Sequence, residues 1–260
     1  MKPPILFYLL LVVFASSCAF NTYTYIPQMP NPAAFSNAEQ FKANAALGRS
    51  HLEAQIAYSP MNHLAVNGGA FLGEHNQLAL EGGLTAYTRL IRTKHLFVTA
   101  GGSLSQGTIN TSFDDNKNIN GVDFYSINCN YTGKHFQYGI YWHGNDVYLD
   151  REHNRKTFGF ILKHSYINYD SYSYTEIDRS FRRIPTTLNA VNRTQLSIKS
   201  LTLMAFLENE ISKYAIILVQ MGLQPKSTPM IGLFDAPRQQ RIFWLPSRPF
   251  LNIAFGIKID

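Results

Sequence analysis

His164 and Ser165 are the side chains of this sequence best suited to nucleophilic chemistry, and Glu176 follows them downstream. A serine hydroxyl, an imidazole base and an orienting carboxylate together can hydrolyse an acyl ester. However, His164 and Ser165 are adjacent in a segment with a period of two, so their side chains point to opposite faces of a strand. We therefore expect a non-enzymatic chain. A hydrolase of envelope lipid stays as an alternative, with these two residues as its candidates.

Metal and phosphate motifs are incomplete in this sequence. Residues Asp114 to Gly121 offer alternating oxygen ligands for calcium, but Ile119 takes the place of the turn glycine and Tyr125 that of the bidentate glutamate of an EF-hand. The eight histidines are scattered and form no HExxH motif. Gly101 to Gly107 lacks the Lys-Ser/Thr pair of a phosphate loop. We predict no metal site and no cofactor.

The first eighteen residues carry the clearest signal in the chain. Lys2 supplies a positive charge, Ile5 to Ala15 form an unbroken apolar run, and two serines lead into Cys18. The run is too short to span a bilayer as a helix, which needs about 20 apolar residues. A positive start, a short apolar stretch and small residues are typical of a secretory signal peptide.

Small residues directly before Cys18 also resemble the lipobox of bacterial lipoproteins, in the looser form of the Bacteroidetes type. The resemblance implies that residues 1–17 are a lipoprotein signal peptide and that Cys18 becomes the amino terminus and carries lipid such as palmitate. It also implies a lipid-anchored protein of the bacterial outer membrane. Residues 18–38 then form a Pro-rich tether, which should be extended and irregular because proline lacks an amide donor.

From about Gln40 the dominant period of the sequence is two. Between Leu78 and Leu90, leucines alternate with a face that carries Glu81, Thr85 and Arg89. Such alternation indicates strands with one apolar and one polar side. Eleven segments are predicted strands: 40–48, 51–58, 63–72, 78–90, 95–105, 122–131, 136–148, 158–166, 195–207, 214–223 and 251–260. Long polar connections are expected at 107–121, 171–192 and 225–248.

The period of two leaves open which face is inside. A soluble hydrophobe-binding barrel turns its apolar faces inward, whereas an outer-membrane barrel turns them toward lipid. The polar faces mix charged with very small residues, which suits a crowded lumen. Aromatic residues cluster near segment ends, where they would form an interfacial girdle. The cluster at the end of the eighth segment and just beyond it consists of Tyr166, Tyr169, Tyr172 and Tyr174.

These observations favour a closed antiparallel up-and-down membrane β-barrel of about 10–12 strands over residues 39–260. The side chains that we expect to line its lumen are Glu53, Gln55, Glu81, Arg89 and Lys163. With Cys18 acylated, Cys129 has no partner for a disulfide and is interpreted as a small side chain on a strand.

The segment from Asn31 to Pro60 and the closing strand resemble small lipobox-bearing barrels of Bacteroidetes. This resemblance implies an envelope location and a barrel, and no activity. We expect a lipid-anchored, monomeric barrel that is structural, a small pore or ligand-binding. Its partner is membrane lipid, with any small-molecule ligand unknown. The net charge of +6 is too evenly spread to indicate nucleic acid binding. A tethered soluble barrel that binds lipid is the other alternative.

Overall fold

The regular structure of this chain consists of β-strands. The computed structural model describes residues 29–47, 51–73, 76–91, 95–114, 124–145, 155–178, 186–193, 196–225, 242–244 and 246–259. Over these ranges the chain contains no helix that is long and apolar enough to cross a membrane. The fold is therefore described by its strands and by the segment that precedes them.

Twelve strands are present in the described ranges. Their bounds are β1 Phe41–Leu47, β2 His51–Met61, β3 Leu64–Gly73, β4 Gln77–Ile91, β5 Leu96–Asp114, β6 Phe124–Asn145, β7 Arg155–Asp178, β8 Thr186–Arg193, β9 Leu196–Glu210, β10 Ala215–Pro225, β11 Ile242–Trp244 and β12 Pro246–Ile259.

Ten of the strands close into an antiparallel up-and-down barrel. Neighbours in sequence pair from β1 to β7, then β7 pairs with β9, β9 with β10, β10 with β12, and β12 returns to β1. The short β8 pairs antiparallel with the last residues of β7, from Tyr172 to Asp178. The short β11 pairs parallel with β9. Each of the ten barrel strands thus has a partner on both sides.

The two ends of the barrel differ. The end that holds Phe41 and Ile259, here the terminal end, has the connections 62–63, 92–95 and 211–214 and one longer connection, 146–154. The opposite end, here the distal end, receives the long connections 115–123, 179–185 and 226–241. The three long connections expected from the sequence therefore share one end. All three were predicted too long, because residues 107–114, 171–178, 186–193, 242–244 and 246–248 are strand.

Two of the predicted strands are one strand. Segments 122–131 and 136–148 belong to β6, which continues through Gly133 without a turn. The alternation of exposed and buried positions passes unbroken through Thr132, Gly133, Lys134 and His135. Merging these two segments converts the eleven predicted strands into the ten of the barrel.

The apolar face of the strands points outward. Leu80, Leu84 and Phe255 are 54%, 54% and 66% exposed, whereas Glu53 and Lys163 on the polar face are 4% and 2% exposed. The period of two separates these sets because successive side chains point to opposite faces. This direction is the reverse of the one that a hydrophobe-carrying barrel needs.

Polarity inverts where β5, β6 and β7 extend beyond the rest of the wall at the distal end. On β6 the outer face is apolar from Phe136 to Trp142 but carries Asn128, Asn130 and Thr132 farther along. The inner face of this distal extension is apolar and fully buried at Ile109, Ile127, Cys129, Tyr131, Ile167 and Tyr169. The outer face of β6 is therefore apolar over its terminal part and polar over its distal part.

The predicted aromatic girdle is only partly formed by the tyrosines of β7. Tyr166 is exposed on the outer face, but Tyr169 and Tyr172 are 1% exposed on the inner face. A register shift places Tyr131 opposite Tyr169 and Asn130 opposite Ser171, so one extra residue lies between them. Such a bulge reverses the facing of later positions. The side chain of Tyr174 lies outside the described part of the chain.

Two adjacent glycines of β4 provide a matched test of wall packing. A Cβ on Gly82 meets nothing within 4 Å, whereas a Cβ on Gly83 collides with the carbonyl oxygen of Gly102 and lies 2.8 Å from the Ser103 Cα. Because backbone atoms of a sheet cannot move aside cheaply, we expect Gly83→Ala to lower the free energy of unfolding by about 1–3 kcal/mol. Gly82→Ala should change it by less than about 0.5 kcal/mol. Denaturant unfolding in detergent measures both, and equal effects would contradict the packing described.

Candidate functional site

A segment without strand structure lies inside the barrel. Residues 29–37, here the interior segment, precede β1, and Ala33, Ala34 and Phe35 within it are 2%, 1% and 0% exposed. Such burial without a β-ladder requires other partners for the backbone groups. The predicted tether, residues 18–38, is described only from Met29 onward, and this part runs through the interior.

Side chains from strands around the barrel hold the backbone of the interior segment. The amide of Met29 donates to Glu53 Oε1 at 2.9 Å, and Gln55 Nε2 donates to the Met29 carbonyl at 3.1 Å. The other carbonyls accept from Gln220 at Pro30 (3.2 Å), Gln137 at Asn31 (3.2 Å), Lys42 at Ala34 (2.7 Å), Tyr141 at Phe35 (2.7 Å) and Tyr87 at Asn37 (2.9 Å). These donors come from β10, β6, β1 and β4, so the segment is fixed from several sides.

The interior segment runs along β2 from the distal toward the terminal end. Met29 contacts Glu53, which is near the distal start of β2. Farther along the chain, the Glu39 amide donates to the Ser59 carbonyl near the terminal end of the same strand, at 2.6 Å. The described segment therefore spans much of the height of the lumen.

Four of the five predicted lumen residues face the interior. Glu53, Gln55 and Lys163 are buried, and the Glu81 side chain is 11% exposed in its ion pair with Lys163. Arg89 does not join them. It is exposed near the terminal end of β4, and its guanidinium carbon lies 5.2 Å from the centre of the Phe97 ring. A side chain on the polar face of a strand is therefore not buried in the lumen when it lies at the end of the barrel.

Glu81 and Lys163 connect strands that are not neighbours in the wall. Lys163 Nζ on β7 donates to Glu81 Oε2 on β4 at 2.6 Å, and Ser103 Oγ donates to Glu81 Oε1 at 2.5 Å. Two strands separate β4 from β7, so the ion pair crosses part of the lumen. A buried pair of this kind depends on both partners, because either charge alone is costly in a low-dielectric interior.

His135 lies beside this pair, between two serines. Its Nε2 is 2.7 Å from Ser105 Oγ and its Nδ1 is 2.8 Å from Ser165 Oγ. A hydroxyl that donates to an imidazole is the nucleophile–base pair of many hydrolases. Here, however, the second nitrogen contacts another hydroxyl rather than an orienting carboxylate. The imidazole and both hydroxyls satisfy one another, which is what a buried polar network requires.

Two more ion pairs lie near the terminal end. Lys42 on β1 contacts Glu208 on β9 at 2.6 Å, and Lys258 on β12 contacts Glu210 on β9 at 2.7 Å. Lys42 also donates to the interior segment, so it joins that segment to β9. These charges keep strands β9, β12 and β1 in register around a filled lumen.

The hydrolase residues expected from the sequence do not assemble. His164 faces outward, with its ring 6.3 Å from that of Tyr138, while Ser165 faces inward and is 2% exposed. Glu176 lies eleven residues beyond Ser165 on the same strand, roughly 36 Å away at about 3.3 Å per residue. Ser165 instead meets His135 from β6.

Two features of the sequence lie outside the described ranges. They are the predicted lipidation site Cys18 and residues 115–121 of the incomplete calcium motif. Among the described side chains, no group of three or more His, Cys, Asp or Glu is placed to hold a metal ion. Cys129 is buried on the inner face of β6.

No sequence pattern singled out the interior segment or the contacts of His135. His135 shares a face with Gln137 and with Tyr141, and this alternation could have predicted that His135 faces the interior. The interior segment has no comparable signal, since its prolines indicate only that it cannot join a ladder. Comparison of the chain with models of known families, with curated proteins and with solved structures gives no match.

The Glu81–Lys163 pair gives a prediction for the interior. Glu81→Gln keeps the shape and the acceptor for Ser103 but leaves the Lys163 charge without its carboxylate, and we expect a loss of about 3–5 kcal/mol in the free energy of unfolding. Adding Lys163→Met should restore part of this loss, because the ammonium that Glu81 no longer neutralises is removed, while the nearby Glu53 carboxylate keeps its hydrogen bonds to Met29 and Gln55. Lys213→Met, in an exposed turn, is the matched control. Unfolding in denaturant measures the stability of each variant. A free energy of unfolding for Glu81→Gln equal to that of Lys213→Met would contradict this pairing.

Proposed function

We propose that this chain is a lipid-anchored β-barrel of the bacterial outer membrane whose interior is sealed. Its role is non-enzymatic: it is a structural or ligand-binding component of the envelope. The closed 10-stranded barrel is compatible with such a location. The single observation that carries the proposal is the outward direction of the apolar faces on the described barrel strands below the distal extension of β5, β6 and β7.

The apolar outer surface has a height that suits a membrane. On β6 it extends from Phe136 to Trp142, bounded by Lys134 at its distal side. The eight residue steps from Lys134 to Trp142 rise about 26 Å along the strand, which is roughly 20 Å along the membrane normal at a tilt near 40°. Trp142 and Phe158, with ring centres 4.5 Å apart, lie at the terminal margin, where aromatic girdles occur. These dimensions support a bilayer-spanning wall.

The filled interior favours a sealed barrel over a pore. Phe35 and Leu218 are 0% exposed inside the wall, and interior hydrogen bonds reach the segment from β1, β2, β4, β6 and β10. Ion pairs add further connections across the lumen, between β4 and β7 and, nearer the terminal end, between β1 and β9. An aqueous path through this part of the barrel would require these groups to separate.

The two alternatives have less support. A soluble lipid carrier needs an apolar interior, whereas the described middle of this lumen holds Glu53, Gln55 and Lys163. An envelope hydrolase needs an accessible nucleophile, whereas Ser165 is buried behind the Glu81–Lys163 pair and His135. The sealed membrane barrel accounts for both the outer and the inner face.

An anchor at Cys18 fits the same membrane. Cys18 precedes Met29 by eleven residues, and eleven extended residues span at most about 40 Å. An acylated amino terminus is then within reach of the bilayer that surrounds the barrel. Lipid attachment and a spanning wall are therefore compatible in one chain.

Fractionation after loss of the anchor tests the proposal. Cys18→Ser, expressed behind a signal peptide that is cleaved without lipidation, should stay in the membrane fraction and need detergent for release, because the wall itself is apolar. Release into the soluble fraction would contradict a spanning barrel. The replaced signal peptide matters because an uncleaved leader would itself hold the chain in a membrane.

Labelling with palmitate tests the anchor separately. The unaltered chain should incorporate labelled palmitate, and Cys18→Ser should lose all of it. Cys129→Ser is the matched control and should keep the label, because Cys129 is buried within the barrel. Equal labelling of both variants would place the lipid elsewhere.

Planar bilayer recordings test the seal. The unaltered chain should give no stepwise conductance, whereas deletion of residues 29–37 should produce discrete steps, because the polar lumen loses the segment that fills it. Heat-dependent mobility in detergent gels identifies the deletion variant that has folded as a barrel. Large, regular steps from the unaltered chain would contradict the sealed interior.

A further inference from the structure

A cationic pair lies on the outer wall at the level where its polarity changes. Lys134 is directly opposite Tyr166 in the register of β6 and β7, and Tyr166 is opposite Lys199 in the register of β7 and β9. All three face outward. On their terminal side the next outward residues include Phe136 and Leu201, and on their distal side lies Asn168. The two lysines therefore flank one tyrosine at the distal margin of the apolar surface.

The geometry of this row brings two ammonium groups toward one point. Strands lie about 4.8 Å apart, so the two lysine backbones are roughly 10 Å apart across Tyr166. Lys199 Nζ lies 5.2 Å from the centre of the Tyr166 ring. Lysine side chains are long and flexible enough to close such a gap around an anion. The described residues contain no ion-pair partner for Lys134, and Glu81 nearby points inward to Lys163.

A groove begins on the other side of Lys134. It has a volume of about 570 Å³, and Leu80, Gly82, Leu104 and Lys134 contribute to its lining. These residues face outward, and Gly82 leaves space that a side chain would otherwise fill, since a Cβ there meets nothing within 4 Å. Gln106 and Thr132 also line it, so the groove is apolar at Leu80 and Leu104 and polar toward Thr132 and Lys134.

We propose that this surface binds an anionic phospholipid, with the headgroup phosphate held by Lys134, Tyr166 and Lys199 and an acyl chain in the groove at Gly82. The inference rests on the proposed membrane location. Charge complementarity supports a phosphate, and the apolar part of the groove beside the lysines supports a lipid rather than free phosphate. Lysines at such a margin reach the headgroup level with their charge and leave their stems on the apolar surface.

Native mass spectrometry of the full-length protein in detergent tests the site. Phosphatidylglycerol is titrated, with phosphatidylcholine and inorganic phosphate as separate arms. We expect one tightly retained phosphatidylglycerol, about fivefold weaker binding for Lys134→Gln or Lys199→Gln, and about thirtyfold weaker binding for both together. Gly82→Phe should also weaken it, because the new ring occupies the groove.

The matched control is Lys213→Gln. Lys213 forms the same kind of pair with Tyr214, at 5.2 Å, but at the terminal end and away from the groove. It should leave binding unchanged. Equal loss in the control, equal retention of phosphatidylcholine, binding of inorganic phosphate alone, or full binding by the double variant would each overturn the site. A variant that loses lipid but still needs detergent leaves the membrane barrel intact, so the two proposals fail separately.

Discussion

The constraint on which this structure depends is that one strand must satisfy two different surroundings at once. Every barrel strand donates its backbone groups to neighbours on both sides, and the ring closes where β12 meets β1 and β7 meets β9. Once the ladder is closed, the side chains alone decide what lies inside and outside. Leucine, isoleucine and phenylalanine on one face and polar or very small residues on the other then define an apolar exterior around a polar interior.

A polar interior of this size is stable only when its groups find partners, because an unpaired polar group in a dry environment is costly. The interior segment meets much of this requirement with its own backbone, which bonds to glutamine, tyrosine, lysine and glutamate side chains of the wall. The ion pairs of Lys42, Lys163 and Lys258 neutralise charges that would otherwise be isolated. The interior segment and the ion pairs thus provide partners for buried polar groups, as the closed ladder does for the backbone groups of the strands.

The sequence predicted the wall well and the interior poorly, for physical reasons. The alternation at 78–90 matches β4 to within one residue, because the exposed leucines at 78, 80 and 84 are each followed by a less exposed residue that faces inward. The ends of β5 and β7 were predicted as loops, because the apolar alternation stops where the distal extension inverts its faces while the backbone ladder continues. One bulged residue turned Tyr172 inward. The contacts of His135 join strands thirty residues apart, and a local period carries no information about them.

Site-directed spin labelling of β12 in lipid bilayers tests the central claim most directly. Labels at Leu251, Ile253, Phe255 and Ile257 should collide readily with dissolved oxygen and rarely with an aqueous nickel chelate, while labels at Asn252 and Ala254 should be shielded from both. This period of two, with lipid on the exposed side, is what the account predicts. Free access of the nickel chelate to the four apolar positions would contradict it.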